Sequence, residues 1–210
     1  ANVFLNGQKI GKIDGAFMRG KFDVSKQIVK GKNAIAIQII KNAHPGAIKE
    51  QTAYSTDQNG GIPGADNPTF HATIGWDWIP TIRGRNIGIW NDVFLTTTGK
   101  VTVADPLVKS VLPDTTSADV FIDLTLKNHS DNEVKGMLKG SYGEASFQQA
   151  VTLLPCEEHL VKLDATRIPE LHLENPKLWW PKGYGAPHLY DVEFCFEVDG
   201  KVTDRTSFKS

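Results

Sequence analysis

A chain of 210 residues with 40% apolar and 22% charged side chains has the make-up of a soluble globular protein, with length for one large or two ordinary domains. Its formal net charge of -1 offers no basic footprint for nucleic acid and no polybasic arm for an anionic membrane. The longest apolar run, residues 34–40, is interrupted by Gln38 and is far too short to cross a bilayer, so neither nucleic acid nor membrane is an expected partner.

No cleavable leader is visible, since Ala1 opens directly on what reads as a strand. Asn6-Gly7 then sits between two apolar runs, the strongest short-range hairpin signal available. Ile35, Ile37 and Ile39 form a stripe of alternate residues. Residues 42–67 are rich in Gly, Pro, Asn and Asp and read as one long loop, and structureless loops of that length in a compact domain are usually functional or mobile. Gly75-Trp76-Asp77-Trp78-Ile79-Pro80 follows, and shortly afterwards Arg85-Asn86-Ile87-Gly88-Ile89-Trp90-Asn91-Asp92. The texture changes near residues 99–106. Before it the runs are irregular; after it strands of about seven to ten residues are separated by polar turns, as an immunoglobulin-like sandwich requires.

In residues 118–127 alternation is clean: Ala118, Val120, Ile122, Leu124 and Leu126 point inward and Asp119, Asp123, Thr125 and Lys127 outward, with Phe121 the exception on the outer face. Phe147, Val151 and Leu153 form another stripe, and helix is expected at most as a short turn after Asp164. In the last long run Tyr190, Val192, Phe194, Phe196 and Val198 share one side, which puts Cys195 with Asp191, Glu193 and Glu197 on the more polar face. Asp199-Gly200 marks a second hairpin. No stretch keeps the three-to-four residue spacing of an amphipathic helix over a dozen positions, so the fold class is all-β.

Two cysteines, Cys156 and Cys195, do not make a disulfide framework, and two free thiols are expected because a bridge demands a narrow geometry. The six histidines are scattered, most of them expected in loops or at the surface, and no cysteine–histidine spacing suggests zinc. Neither a metal nor a cofactor is expected.

The grouping that points to chemistry is Trp76-Asp77-Trp78. Aromatic faces pack against the C–H side of a sugar ring, while a carboxylate accepts hydrogen bonds from its hydroxyls. A tryptophan-rich core strand with one exposed aspartate is the competing reading. The wording of the stretch resembles the sugar-binding domain of family 2 glycoside hydrolases, in the branch of the β-mannosidases and exo-β-glucosaminidases. Val3-Phe4-Leu5-Asn6-Gly7, Gly11, Phe17, Phe22-Asp23-Val24 and Gly31-Lys32-Asn33 resemble an earlier run of that domain. Asn175-Pro176-Lys177-Leu178-Trp179-Trp180-Pro181, Gly183 and Leu189-Tyr190 resemble a segment of the family's immunoglobulin-like domain.

The resemblance covers nearly the whole chain, in the expected order. It implies a partial, galactose-binding-like jelly roll over residues 1–104 and an immunoglobulin-like β-sandwich over residues 105–210. Family members open the jelly roll with further strands and continue past the sandwich into a (β/α)8 barrel. The chain is therefore expected to be a fragment of a larger enzyme, with exposed apolar surface and unpaired strand edges in its first domain.

Family 2 enzymes are retaining, using two glutamates on barrel strands as nucleophile and acid/base. Nothing in this chain matches those motifs, and Glu144, Glu157 and Glu158 read as solvated charges, so no catalytic residue is expected here. By resemblance, Trp76 and Asp77 border the subsite for the non-reducing sugar, Trp76 shaping it and Asp77 accepting hydrogen bonds from hydroxyls away from the cleaved bond. On an extended strand the two would face opposite ways, so both reach one ligand only near a strand end or bulge, which Pro80 makes plausible. Trp78 takes a packing role and Trp90 reads as core more than ligand. Arg83 and Arg85 pair with barrel carboxylates or an acidic sugar, or belong to a solvated loop. Trp179 and Trp180 lie among prolines and glycines and are read as interdomain packing residues. The expected partners are carbohydrate and the catalytic barrel of the same polypeptide, the parent enzyme being of an often exported type. The alternative is a stand-alone carbohydrate-binding module; a structural or adhesive sandwich is a weaker third.

Overall fold

A computed structural model describes residues 1–15, 18–40, 43–44, 47–48, 53–54, 61–62, 88–89 and 91–210. The chain divides into two compact units, Ala1–Val93 and Phe94–Ser210.

In the first unit, β1 (Asn2–Leu5) and β2 (Gln8–Lys12) form the predicted hairpin. Asn6 and Gly7 both take positive φ, 50° and 81°, the conformation a two-residue turn needs to match strand twist. Strand β3 (Ile35–Gln38) pairs with the other side of β1, giving the order β2-β1-β3. The register sets Ile37 opposite Val3 and Ile35 opposite Leu5, so the isoleucine stripe shares a face with these two residues. Val3 and Leu5 are buried, whereas Ile35 remains 54% exposed.

A hydrogen-bonded knot ties this sheet together. Asn6 Nδ2 donates to Asn33 Oδ1 at 2.8 Å and to the Gln27 carbonyl at 2.9 Å, while its Oδ1 accepts from the Ala34 amide at 2.9 Å. Asn33 Oδ1 also accepts from the Val29 amide, and its Nδ2 donates back to the carbonyls of Val29 and Gly31. Gly11 leaves room for a ring: a Cβ there would lie 2.1 Å from Phe22 Cε1. Asp23 closes the next turn by accepting from the Ser25 amide and hydroxyl. Phe17 lies outside the described residues. Within the stretch expected to be one loop, β4 (Ala47–Ile48) pairs antiparallel with β5 (Gly61–Ile62), a two-residue ladder too short to leave a periodic signal.

The second unit is a sandwich of two antiparallel sheets. In one, β7 (Ser117–Asn128) is central, with β6 (Val101–Val111) on one side and β10 (Glu158–Leu163) and β11 (His172–Glu174) on the other. The other runs β13 (Lys201–Lys209), β12 (Asp191–Val198), β8 (Val134–Tyr142), β9 (Ala145–Leu153). The predicted stripe Ala118, Val120, Ile122, Leu124 and Leu126 is buried, and Phe121 stands on the outer face. Its Val120, Ile122, Leu124 and Leu126 meet Phe147, Val151, Leu153, Val192, Phe194 and Phe196 in one core between the sheets.

Strand β6 bridges both sheets. Its ladder slips between Ala104 and Leu107, where Asp105 takes φ 50° and Pro106 lacks an N–H to pair. Ahead of this bulge, the Val103 amide donates to Asp204 Oδ2 of β13 at 2.8 Å and the Gly99 amide to the Thr203 carbonyl at 2.6 Å. The single fully buried polar side chain among the described residues, Asn128, is saturated: it donates to the carbonyls of Asn132 and Leu154 and accepts from the Ser130 amide and hydroxyl. The helical turn after Asp164 is present, capped by its carboxylate and followed by a 3-10 turn at Pro169–Leu171. Asp199 and Gly200, at φ 51° and 73°, make the second hairpin.

Both thiols are free; Cys156 is exposed and Cys195 is buried. Cys195 sits on the polar side of β12, yet Lys139 of β8 and Arg205 of β13 flank it and pair with Glu197 and Glu193 at 2.6 and 3.3 Å. Long, paired side chains thus border the buried thiol, and a polar face is here no exposed face. Burial, then the neighbouring Glu197, pushes its thiol pKa up.

Candidate functional site

Of the residues that sequence reading assigns to a site, Trp76, Asp77, Trp78, Arg83, Arg85 and Trp90 lie outside the described residues. Trp179 and Trp180 are described, and they stand at the centre of an exposed aromatic loop between β11 and β12.

The loop is launched by β11, which adds three residues to the edge of β7. On that strand His172 Nδ1 lies 2.7 Å from Asp119 Oδ1 of β7, and Nε2 lies 3.4 Å from Glu174 Oε1. The hydrogen bond to Asp119 is the main cause holding the His172 pKa above its ordinary value, with both carboxylates adding to it. Asn175 then turns the chain with φ 49°, its amide donating to the Thr116 carbonyl at 2.6 Å.

Beyond this turn the backbone folds back on itself. Trp179 and Pro187 form an isolated antiparallel bridge, and the Trp180 amide donates to the Ala186 carbonyl at 3.1 Å. Tyr184 N–H closes on the Pro181 carbonyl at 3.0 Å around Gly183, whose φ is 92°. The Trp180 indole lies along Gly185, where a Cβ would come within 2.6 Å of Cδ1. Glycine is required there by close approach.

Tyr190, just ahead of β12, fastens the other end. Its hydroxyl accepts from the Lys177 amide at 2.7 Å, tying the two legs of the loop together. Its ring stacks on Tyr142 with centroids 4.9 Å apart and receives His188 edge-on at the same distance. Gly143 leaves room for that ring, since a Cβ would lie 2.6 Å from Tyr190 Cδ1. Sequence reading placed Tyr190 on an apolar stripe and missed the role of its hydroxyl. A tyrosine at the mouth of a late sandwich strand is the available signal, because such a residue often hydrogen-bonds back to upstream backbone.

The result is a fixed loop that presents apolar surface to solvent: Trp179 is 56% exposed, Trp180 42% and Tyr184 80%. Large aromatic groups held open on an ordered backbone are what an interface core uses.

The three glutamates considered for chemistry have local occupations. Glu157 accepts from the Leu154 amide at 2.6 Å, which is the main cause depressing its pKa, with His159 adding to it. Glu158 is held down by its hydrogen bond to Lys127 and by that residue's charge. Glu144 is exposed in the turn between β8 and β9. Glu157 and Glu158 are thus shifted in the sense opposite to that of a general acid.

Comparison with known proteins finds two family models in succession. Residues 1–91 match a model described as "Glycosyl hydrolase 2 galactose-binding domain-like", and residues 101–209 match "Glycosyl hydrolases family 2". An exo-beta-D-glucosaminidase of Streptomyces avermitilis is 30% identical over 210 aligned residues, and a mannosylglycoprotein endo-beta-mannosidase of Lilium longiflorum is 32% identical. These alignments cover 97% and 95% of this chain but only 21% of each relative. Among solved structures, the exo-chitosanase CsxA of Amycolatopsis orientalis superposes with a TM-score of 0.73 at 22% identity, covering 99% of this chain and 22% of that one. A family 2 beta-glucuronidase gives a TM-score of 0.68 at 16% identity, a likeness of fold alone.

Proposed function

The chain belongs to family 2 of the glycosyl hydrolases, and from that premise we propose that it forms the non-catalytic accessory part of a retaining exo-glycosidase acting on β-mannosides or β-glucosaminides. The observation that carries this reading is the succession of the two family domains in a chain that spans 21% of the relatives' length. The relatives named for glucosaminidase and mannosidase activity support that sugar range, one by an exo and one by an endo name.

In this reading the first unit supplies one wall of the active-site subsite and the parent's (β/α)8 barrel supplies both catalytic carboxylates. Asp77 accepts hydrogen bonds from sugar hydroxyls remote from the cleaved bond, and Trp76 lies against the ring. Such contacts orient the ring, so that remote binding energy lowers the barrier to reaction. A charge-assisted hydrogen bond of this kind is worth roughly 1.5–3 kcal/mol. Asp77→Ala in the parent enzyme should therefore lower kcat/KM on the order of ten- to a hundredfold. The Trp179–Trp180 loop of the second unit serves as a docking element for the rest of the polypeptide.

The test compares this chain with the same gene product extended through the domain that follows, on chromogenic β-mannoside, β-glucosaminide, β-galactoside and β-glucuronide. Activity only in the extended protein, on either of the first two sugars, is the expected result. Activity on the last two alone would remove the proposed substrate class. Silence from both proteins, with millimolar or tighter sugar binding by this chain, would replace the proposal with a carbohydrate-binding module.

A further inference from the structure

The exposed aromatic loop has a charge unlike that of the unit that carries it. In residues 94–210 acidic side chains outnumber basic ones by seventeen to twelve, yet residues 176–190 hold Lys177, Lys182 and His188 and no carboxylate. On the strands of the sandwich, cations are commonly paired, Lys109 with Asp123, Lys127 with Glu158, Lys139 with Glu197, Arg205 with Glu193 and Lys209 with Asp191, although among the described residues Lys162 and Lys201 are not. Among the described residues neither Lys177 nor Lys182 is paired with a carboxylate. Each therefore flanks the two indoles as an uncompensated positive charge.

We infer that this loop is a preformed plug for an apolar socket rimmed by carboxylates, located on another part of the parent polypeptide. The inference rests on the docking role proposed above and adds the chemistry of the receiving surface. Trp179, Trp180 and Tyr184 bring the apolar area, and anchors of this kind carry most of an interface's energy. The Tyr190 clamp and the Trp180–Ala186 hydrogen bond hold the loop before it docks, so little conformational entropy is lost on seating. Covering the indoles brings both lysines close to the interface, where a charge left unpaired is costly and a carboxylate opposite it fixes register.

A loop of tryptophans and lysines also suits an anionic bilayer, but the acidic excess of the surrounding unit opposes approach to one. The socket is placed within the parent because most of the length of the relatives lies outside this chain.

The test is residue-resolved footprinting by mass spectrometry, hydroxyl radicals reporting on Trp179 and Trp180 and an acetylating reagent on Lys177 and Lys182. It compares this chain with the extended gene product, as wild type and as the Lys177→Glu/Lys182→Glu double variant. Peptides from β7 and β12 serve as the folding control. Expected are severalfold protection of all four side chains in the extended wild type, and loss of the tryptophan protection in the double variant. If the tryptophans are protected equally in wild type and variant, the carboxylate rim is wrong while docking stands. If they are unprotected in the extended wild type, the docking role fails and the socket with it. Protection of the isolated chain by phosphatidylserine vesicles, or by a soluble mannan or chitosan oligosaccharide, would also overturn the proposal, in favour of a membrane or a sugar platform.

Discussion

Among the described residues, the two units are each held together by different means. In the sandwich, two sheets bring a continuous set of side chains, from Val101 on β6 to Phe196 on β12, into one core. In the first unit only Val3 and Leu5 are buried among the described residues, and the joints seen there are polar, above all the hydrogen bond from Asn6 to Asn33 and the bonds of Asn6 to the backbones of Gln27 and Ala34. Two hairpins of the same turn type, Asn6-Gly7 and Asp199-Gly200, thus sit in opposite settings. A turn signal shapes a hairpin locally, but only a second layer turns a three-stranded sheet into a core.

The largest expected effect separates the two settings directly. Phe194→Ala empties a fully buried position and should cost about 3–5 kcal/mol in chemical denaturation, whereas Ile35→Ala, at a residue 54% exposed, should stay within about 0.5 kcal/mol. Equal costs would mean that the first unit has a core of its own. Next in size is Gly136→Ala on β8, where a Cβ would stand 2.4 Å from the Glu197 carbonyl and 2.5 Å from the Phe196 ring. Overpacking against backbone should cost about 1–3 kcal/mol. At Gly11→Ala the nearest atoms belong to a side chain, the Phe22 ring, rather than to backbone, so a smaller loss is expected from the same measurement.

A smaller effect tests the polar joint. Asn33→Ala removes the acceptor for the Val29 amide and both donations to the loop carbonyls, which should cost about 1 kcal/mol and speed hydrogen exchange at Val29. Unchanged exchange there would show that the knot is incidental. The smallest effect is a pH dependence in the sandwich. Asp119 and Glu174 favour the protonated form of His172, so its folded pKa lies above its unfolded one. That stabilisation is complete below the unfolded pKa and is lost as pH rises through the folded value. Melting temperature should therefore drift down slightly as pH rises from about 6 to about 8, and Asp119→Asn should flatten the drift.

Where local pattern decides structure, the chain was readable in advance. The burial of Val120, Ile122, Leu124 and Leu126 with Phe121 left outside, both hairpins and the turn after Asp164 all follow from signals within a dozen residues. The two-residue ladder of β4 and β5 and the three-residue β11 were not readable, because strands that short owe their existence to a partner rather than to periodicity. At the aromatic loop, sequence picked out Trp179 and Trp180 but not Tyr190, whose hydroxyl reaches a backbone amide 13 residues upstream. The assignment of Trp76 and Asp77 rests on family resemblance, and the residues lie outside those described.

Sequence by itself determined the all-β class, the inward faces of the long strands and membership of family 2, since these depend on a period of two, on turn residues and on motifs in order. Tertiary structure alone decided that Cys195 is buried, that Asn6 and Asn33 meet and that the tryptophan loop is pinned open. Each depends on groups distant in the chain: paired charges on neighbouring strands that flank a thiol, two asparagines on separate turns, and a tyrosine closing a loop from its far end. Hydrogen bonding and burial act through space, and periodicity along the chain carries no record of which distant groups will be brought into reach.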